Sequence, residues 1–261
     1  MLGFHVFTAS SNALTIRYER ILGHRKAHAV RWRMTVFRHL IMTASIACSG
    51  ATGVALAVPP VVNELVGKAM SSTPDAQHGS ILYLKRCKSC HGQNAWGNAP
   101  KEVPTLAGQR ELYLVVQLAE FVTLERNGSA MHRATNVADA KHPQAIRDLA
   151  AYLANAPRDP KPDEGDGKAV AAGEKLFQRG CAMCHGTSAQ GSADEPIPAL
   201  AGQHYPYTLL QLKNFAAGHR GQVEPPVIDF TAGLSAEEQS GVADYLSRLK
   251  LTVSTSEPGA R

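Results

Sequence analysis

The chain carries the pattern C-x-x-C-H twice, at Cys87-Lys88-Ser89-Cys90-His91 and at Cys181-Ala182-Met183-Cys184-His185. This is the attachment signature of a c-type haem: two thiols form thioethers to the vinyl groups, and the adjacent imidazole becomes the proximal iron ligand. Two other chemistries use C-x-x-C. A zinc ribbon sets its two pairs about 15–20 residues apart and needs no following histidine, whereas these pairs lie 94 residues apart with histidine after each. A thioredoxin-type dithiol sits near a βαβ pattern, and neither motif is flanked by a strand-rich run. The motifs therefore predict two covalently bound haem c groups, with Cys87, Cys90, Cys181 and Cys184 as thioether donors and His91 and His185 as iron ligands.

The 94-residue spacing extends past the motifs. Pro104 falls on Pro198, Leu106-Ala107-Gly108-Gln109 on Leu200-Ala201-Gly202-Gln203, and Tyr113, Gln117, Leu118 and Phe121 on Tyr207, Gln211, Leu212 and Phe215. From Cys87 to Phe121 the register needs no gap, and 16 of 35 positions are identical. This is a duplicated domain, not a solenoid, which needs three or more repeats. Each half is small for a self-sufficient core, and a covalent haem supplies the missing apolar mass.

The N-terminal segment differs from the rest. It holds seven bases (Arg17, Arg20, Arg25, Lys26, Arg31, Arg33, Arg38) and one acid, Glu19; Leu40 to Val58 is uncharged, and Ala55-Leu56-Ala57 is a small-x-small site. Residues 1–57 read as a secretory leader, with Met34 as an alternative start, and export to the periplasm follows. An uncleaved anchor facing the periplasm is the other reading, since the apolar stretch approaches the ~20 residues that span a bilayer. Cleavage would remove Cys48, leaving every remaining cysteine in a haem motif. It would also change the precursor's net charge of +5 to −1, with 20 bases against 21 acids, so nucleic-acid binding is not expected.

Helical periodicity precedes each motif, at Gly79–Arg86 and Ala172–Arg179, and recurs near Arg110–Leu124, Pro206–Ala217, Pro143–Asn155 and Ser235–Lys250. The predicted organisation is all-α: a leader (1–57), a first domain (58–156), a Pro/Gly/charge-rich linker (157–167), a second domain (168–253) and a tail (254–261).

The two C-x-x-C-H motifs, the two P-x-L-A-G-Q segments, the Tyr-x3-Gln-Leu-x2-Phe helices and the Pro-rich linker resemble the dihaem cytochrome c-four family over about residues 75–250. The resemblance implies two tandem class I cytochrome c folds. It implies a periplasmic electron carrier between a membrane donor complex and a terminal oxidase or reductase. It also implies that Pro104 and Pro198 offer their carbonyls to the Nδ1–H groups of His91 and His185. In such domains a methionine usually supplies the sixth ligand. In the first half that is Met131, in a polar loop after Glu125-Arg126-Asn127-Gly128. The second half departs from the pattern: the residue 94 positions later is Pro225, and no methionine follows Met183. His204 reads as a surface residue at a helix start. His219 is a candidate sixth ligand for the second haem, and an iron without a side-chain ligand is the alternative, favoured because Pro225-Pro226 stiffens the loop that would deliver a donor.

Two functions follow. A carrier with no substrate of its own agrees with the absence of any other catalytic motif. The alternative is a haem enzyme, or a dehydrogenase's cytochrome subunit, using an open second haem, for example for peroxide reduction with His204, His219 or Arg220 as helpers.

Overall fold

Two glycines set how closely the helices of each half pack. A Cβ on Gly79 would lie 2.0 Å from the Asp148 carbonyl oxygen, and one on Gly173 would lie 2.0 Å from that of Gly241. At both places the helix leading into the haem motif crosses the last helix of its half at backbone contact, which only glycine permits. The computed structural model describes residues 59–138, 140–220 and 225–251; the expected leader, Met34, Cys48 and the tail lie outside them. Among the described residues the regular structure is helical, with one isolated bridge between Asn98 and Val103, and no helix is long and apolar enough to cross a membrane.

The first half comprises α1 (Pro60–Met70), α2 (Ala76–Arg86), the one-turn α3 (Lys88–His91), α4 (Glu111–Val122), α5 (Ser129–Thr135) and α6 (Pro143–Asn155). The second comprises α7 (Val170–Gly180), α8 (Ala182–His185), α9 (Tyr205–Ala216), α10 (Pro225–Ala232) and α11 (Ala236–Arg248). Local chemistry sets the boundaries. The Asp75 carboxylate accepts from the Gln77 and His78 amides to start α2, and Lys85 and Arg86 fall in its last turn, where cations suit the helix dipole. Ser235 and Glu238 form a reciprocal capping box at the start of α11.

The sequence reading differs from the fold in three places. It did not single out α1. Met131 lies on a helix, not in a loop. Pro225 and Pro226 begin α10 instead of stiffening a loop, because an amide in the first helical turn has no intrahelical partner to lose.

Next to each glycine contact an aromatic pair fills the core: Tyr83 with Tyr152 at 5.5 Å between centroids, and Phe177 with Tyr245 at 5.6 Å. Tyr83 and Phe177 are fully buried, and truncating such a ring costs about 3–5 kcal/mol. A buried aspartate then ties the segment before the motif helix of each half to the last helix of that half. Asp148 accepts from the Asp75 amide and Gln144 Nε2 and pairs with His78 Nδ1. Asp244 accepts from the Gly165 and Gly167 amides and Arg248 Nε.

The halves meet through reciprocal contacts. Gln109 donates to the Ala199 carbonyl (3.0 Å) and accepts from the Ala199 amide (2.8 Å). Gln203 does the same with Thr105, at 3.0 and 2.9 Å. Because 105 and 109 are the counterparts of 199 and 203, one contact is made twice across a local two-fold axis, the mark of an isologous interface. The next turn of the repeat continues the pattern. Arg126 binds Gln117 of its own half and donates to the Tyr207 hydroxyl (3.1 Å). Arg220 donates to Gln211 of its own half (2.7 Å) and to Tyr113 (2.9 Å) and Gln117 (2.8 Å) of the other. The linker joins this seam through Arg158, whose guanidinium bonds the Gly108 and Ala201 carbonyls. Burial, and then Arg110 beside it, pull the Arg158 pKa down to about 10, which leaves it charged near neutrality.

Candidate haem sites

Each haem motif folds as a helix end followed by a single tight turn. Cys87 closes α2, its amide bonding the Tyr83 carbonyl, and its own carbonyl accepts the amides of Cys90 (3.1 Å) and His91 (3.0 Å). Gly92 then ends α3 at φ 79°, and the Tyr83 hydroxyl donates to the Gly92 carbonyl. The second motif repeats this: Cys181 receives the amides of Cys184 (3.2 Å) and His185 (3.0 Å), and Gly186 ends α8 at φ 78°. Two cysteines and a histidine are thereby presented together, as the spacing requires.

The loop after each motif returns to the histidine. Gly97 bonds the His91 carbonyl through its amide, and Asn98 pairs with Val103, which brings Pro104 round. His91 Nδ1–H then donates to the Pro104 carbonyl at 3.1 Å, and His185 Nδ1–H to the Pro198 carbonyl at 3.0 Å. These bonds fix both rings' tautomer and orientation and leave Nε2 as the free nitrogen. Burial lowers both histidine pKa values, only partly offset by the carbonyls, so both rings are neutral at neutral pH. A neutral imidazole with its lone pair on Nε2 is what an iron requires of a protein ligand.

The thiols agree. Burial, and then the neighbouring cysteine, push Cys87 and Cys181 up to about 11, while Cys90 and Cys184 are exposed; none forms a disulfide. The upward shift of Cys87 and Cys181 is opposite in direction to the depression that activates a redox thiol. The residues present thus fit haem c in both halves. The exposed edges of the two motifs differ: Lys88 and Ser89 in the first are replaced by Ala182 and Met183 in the second, and Met183 is 86% exposed.

The family model described as cytochrome c matches residues 76–157 and again 170–250. The chain belongs to the cytochrome c4 family. A cytochrome c4 of Azotobacter vinelandii is 30% identical over 179 residues, covering 62% of this chain and 84% of the relative. The crystal structure of reduced cytochrome c4 from Pseudomonas stutzeri is matched with a TM-score of 0.58 at 28% identity, over 68% of this chain and all of that one. A Thiomonas intermedia protein named as a thiosulfate dehydrogenase electron acceptor is 35% identical over 143 residues, covering 51% of this chain and 64% of that protein. The chain is accordingly a dihaem c-type cytochrome that carries electrons, with haem c bound through Cys87 and Cys90 and through Cys181 and Cys184.

The other sequence candidates fall as follows. Met131 sits on α5, half-buried, its carbonyl accepting from the Thr135 hydroxyl at 2.9 Å. His204 is 5% exposed and not a surface residue: its Nδ1 accepts the Asp163 amide (3.1 Å), and its Nε2–H donates to the Trp96 carbonyl of the first half (2.6 Å). Arg220 belongs to the seam between the halves. His219 is exposed; its amide bonds the Asn214 carbonyl, and its own carbonyl accepts from Asn127. The seam residues Gln109, Gln203, Arg126 and Arg220 were not recognised from sequence, although each pair repeats at the same 94-residue offset. Polar residues kept in register on both copies were the available signal.

Proposed function

We propose that this chain is a periplasmic electron shuttle, taking single electrons from a membrane donor complex and passing them to a terminal oxidase or reductase. The reading includes a cleaved leader (1–57), a first haem domain (58–156), a linker (157–167), a second haem domain (168–253) and a tail (254–261). In the first site His91 and Met131 are the proposed iron ligands, and in the second His185 is the proximal one. The haems supply the one-electron couple when bound. The protein orients the proximal imidazoles through Pro104 and Pro198 and holds both sites in one rigid arrangement through the Gln109 and Gln203 crossings. The observation that carries the reading is this mirrored pair of sites locked together by buried reciprocal bonds, a geometry for exchange between two centres and not for enclosing a substrate. The test is to mix the reduced, haem-loaded mature protein with membranes holding a terminal oxidase. Oxidation of both haems, abolished by an inhibitor of that oxidase, is expected; no oxidation beyond the air control would refute it.

The Thiomonas relative favours a second reading, in which the donor is a dehydrogenase. Purification from the native host distinguishes the two: a dehydrogenase that copurifies and reduces the haems with its own substrate would establish that route.

A further inference from the structure

The halves part in the helices that follow the seam, α5 and α10. Helices α5 and α10 are counterparts, but the buried threonine that each carries, Thr135 and Thr231, sets their offset at 96 residues and not 94. A shared bond fixes this register, since the Thr135 hydroxyl donates to the Met131 carbonyl (2.9 Å) and the Thr231 hydroxyl to the Val227 carbonyl (2.7 Å). Val227, and not Pro225, therefore occupies the place of Met131.

No alternative donor replaces the sulfur among the described residues. No methionine follows Met183, which is 86% exposed within the Cys181–Cys184 turn on the side of His185. Both ring nitrogens of His204 are engaged, with Asp163 and with Trp96. His219 is exposed, its main chain held on both sides, and it precedes Arg220, whose guanidinium is tied to Gln211, Tyr113 and Gln117. Moving His219 to an iron would pull that arginine from the seam.

Helix α10 is itself anchored. A Cβ on Gly180 would lie 2.2 Å from the Phe230 ring, so that ring packs directly on α7, and Arg179 stacks 6.0 Å from its centroid. The Thr231 hydroxyl is spent on backbone carbonyls, Asp229 is exposed, and Val227 and Ile228 are half-buried aliphatic residues.

We propose that the second haem iron has no side-chain ligand opposite His185 and that this site takes a neutral diatomic molecule, of the class of carbon monoxide and nitric oxide, beside Val227. An aliphatic residue in the methionine's place gives room without a hydrogen-bond donor, and distal polarity decides between binding and activation. A neutral π-acceptor suits such a site; peroxide, whose cleavage needs a proton donor, does not. The inference rests on the two-haem carrier reading and deepens it.

The test is a carbon monoxide titration of the dithionite-reduced, haem-loaded mature protein, followed by haem absorption. Saturation at one carbon monoxide per chain is expected, that is, one per two haems. No spectral change at saturating gas, or two equivalents bound, would overturn the proposal. Val227→Met is expected to abolish binding and to add a second iron–methionine charge-transfer band in the oxidised protein. Independently, His219→Ala is expected to leave the stoichiometry at one; binding that appears only in that variant would make His219 the ligand and refute the proposal. If no gas binds while both haems still exchange electrons with the oxidase, this inference falls and the carrier reading stands. If the chain holds fewer than two haems, the carrier reading falls first.

Discussion

Up to Phe121 and Phe215 the two halves repeat one architecture. The cysteine turn, the histidine-to-proline bond and the crossing glutamine recur with the same partners. Beyond those phenylalanines the copies diverge: α5 carries Met131 where α10 carries Val227, the buried aspartate sits at a different height on the last helix, and Glu120 of the seam has Asn214 as its counterpart. The difference separates two kinds of constraint. Residues that hold the proximal side and the seam are coupled to each other by hydrogen bonds, so a change in one half strands a partner in the other. Helices α5 and α10 touch mainly their own half, and there each copy changes alone.

The largest effect should come from the seam. Arg220→Ala strands Tyr113 and Gln211, leaves Gln117 Oε1 with Arg126 alone, and should cost about 3–5 kcal/mol, as breaking an enclosed charged network does. Denaturant unfolding should then resolve two transitions, one per half, in place of one. Arg126→Ala, which removes bonds to two residues and not three, should cost less; equal losses would mean that the additional bond of Arg220 contributes nothing.

A smaller, pH-dependent effect should come from Glu120, the acid at which the halves differ. Burial raises its pKa, with Arg126 and Arg220 opposing. The folded state then holds the proton more tightly than the unfolded state, so the contribution to stability is full at low pH. It is lost as pH rises from the ordinary carboxylate range through the raised value. In Glu120→Gln this decline should disappear. A wild-type stability that instead climbs over that window, relative to the variant, would mean the two arginines outweigh burial.

The smallest effect should come from the caps. Ser235→Ala removes the capping box of α11 and should cost about 1 kcal/mol in the single unfolding transition. His142→Ala, which removes a single 3.3 Å bond at the start of α6, should cost less.

Much of this was legible in the sequence, for physical reasons that differ by residue. The covalent sites were readable because the chemistry fixes both residue type and spacing. The helices ending at Arg86 and Gly180 were readable from periodicity, and the start of α11 from Ser235 and Glu238. Helices α5 and α10 escape the sequence pattern because they are short and their cues are weak: α5 follows a glycine without a side-chain cap, and the pair of prolines in α10 reads equally well as a loop. The two-residue shift between them lies beyond the ungapped repeat, so sequence alignment placed Pro225 where the structure places Val227. His204 was misjudged because a histidine's burial depends on a carbonyl 108 residues away, which no local pattern encodes.

The reciprocal glutamine bonds have one more consequence. An interface in which each half gives what it receives is the one that two separate copies of a single-haem protein would form, and the linker turns that association into an intramolecular one. In a dimer of identical chains, any substitution would appear at both irons at once. In the tandem chain each copy is inherited as its own stretch of sequence, so one iron can change its ligand while the other keeps it. The linker thus does more than tether: it makes inequality between two otherwise equivalent centres heritable.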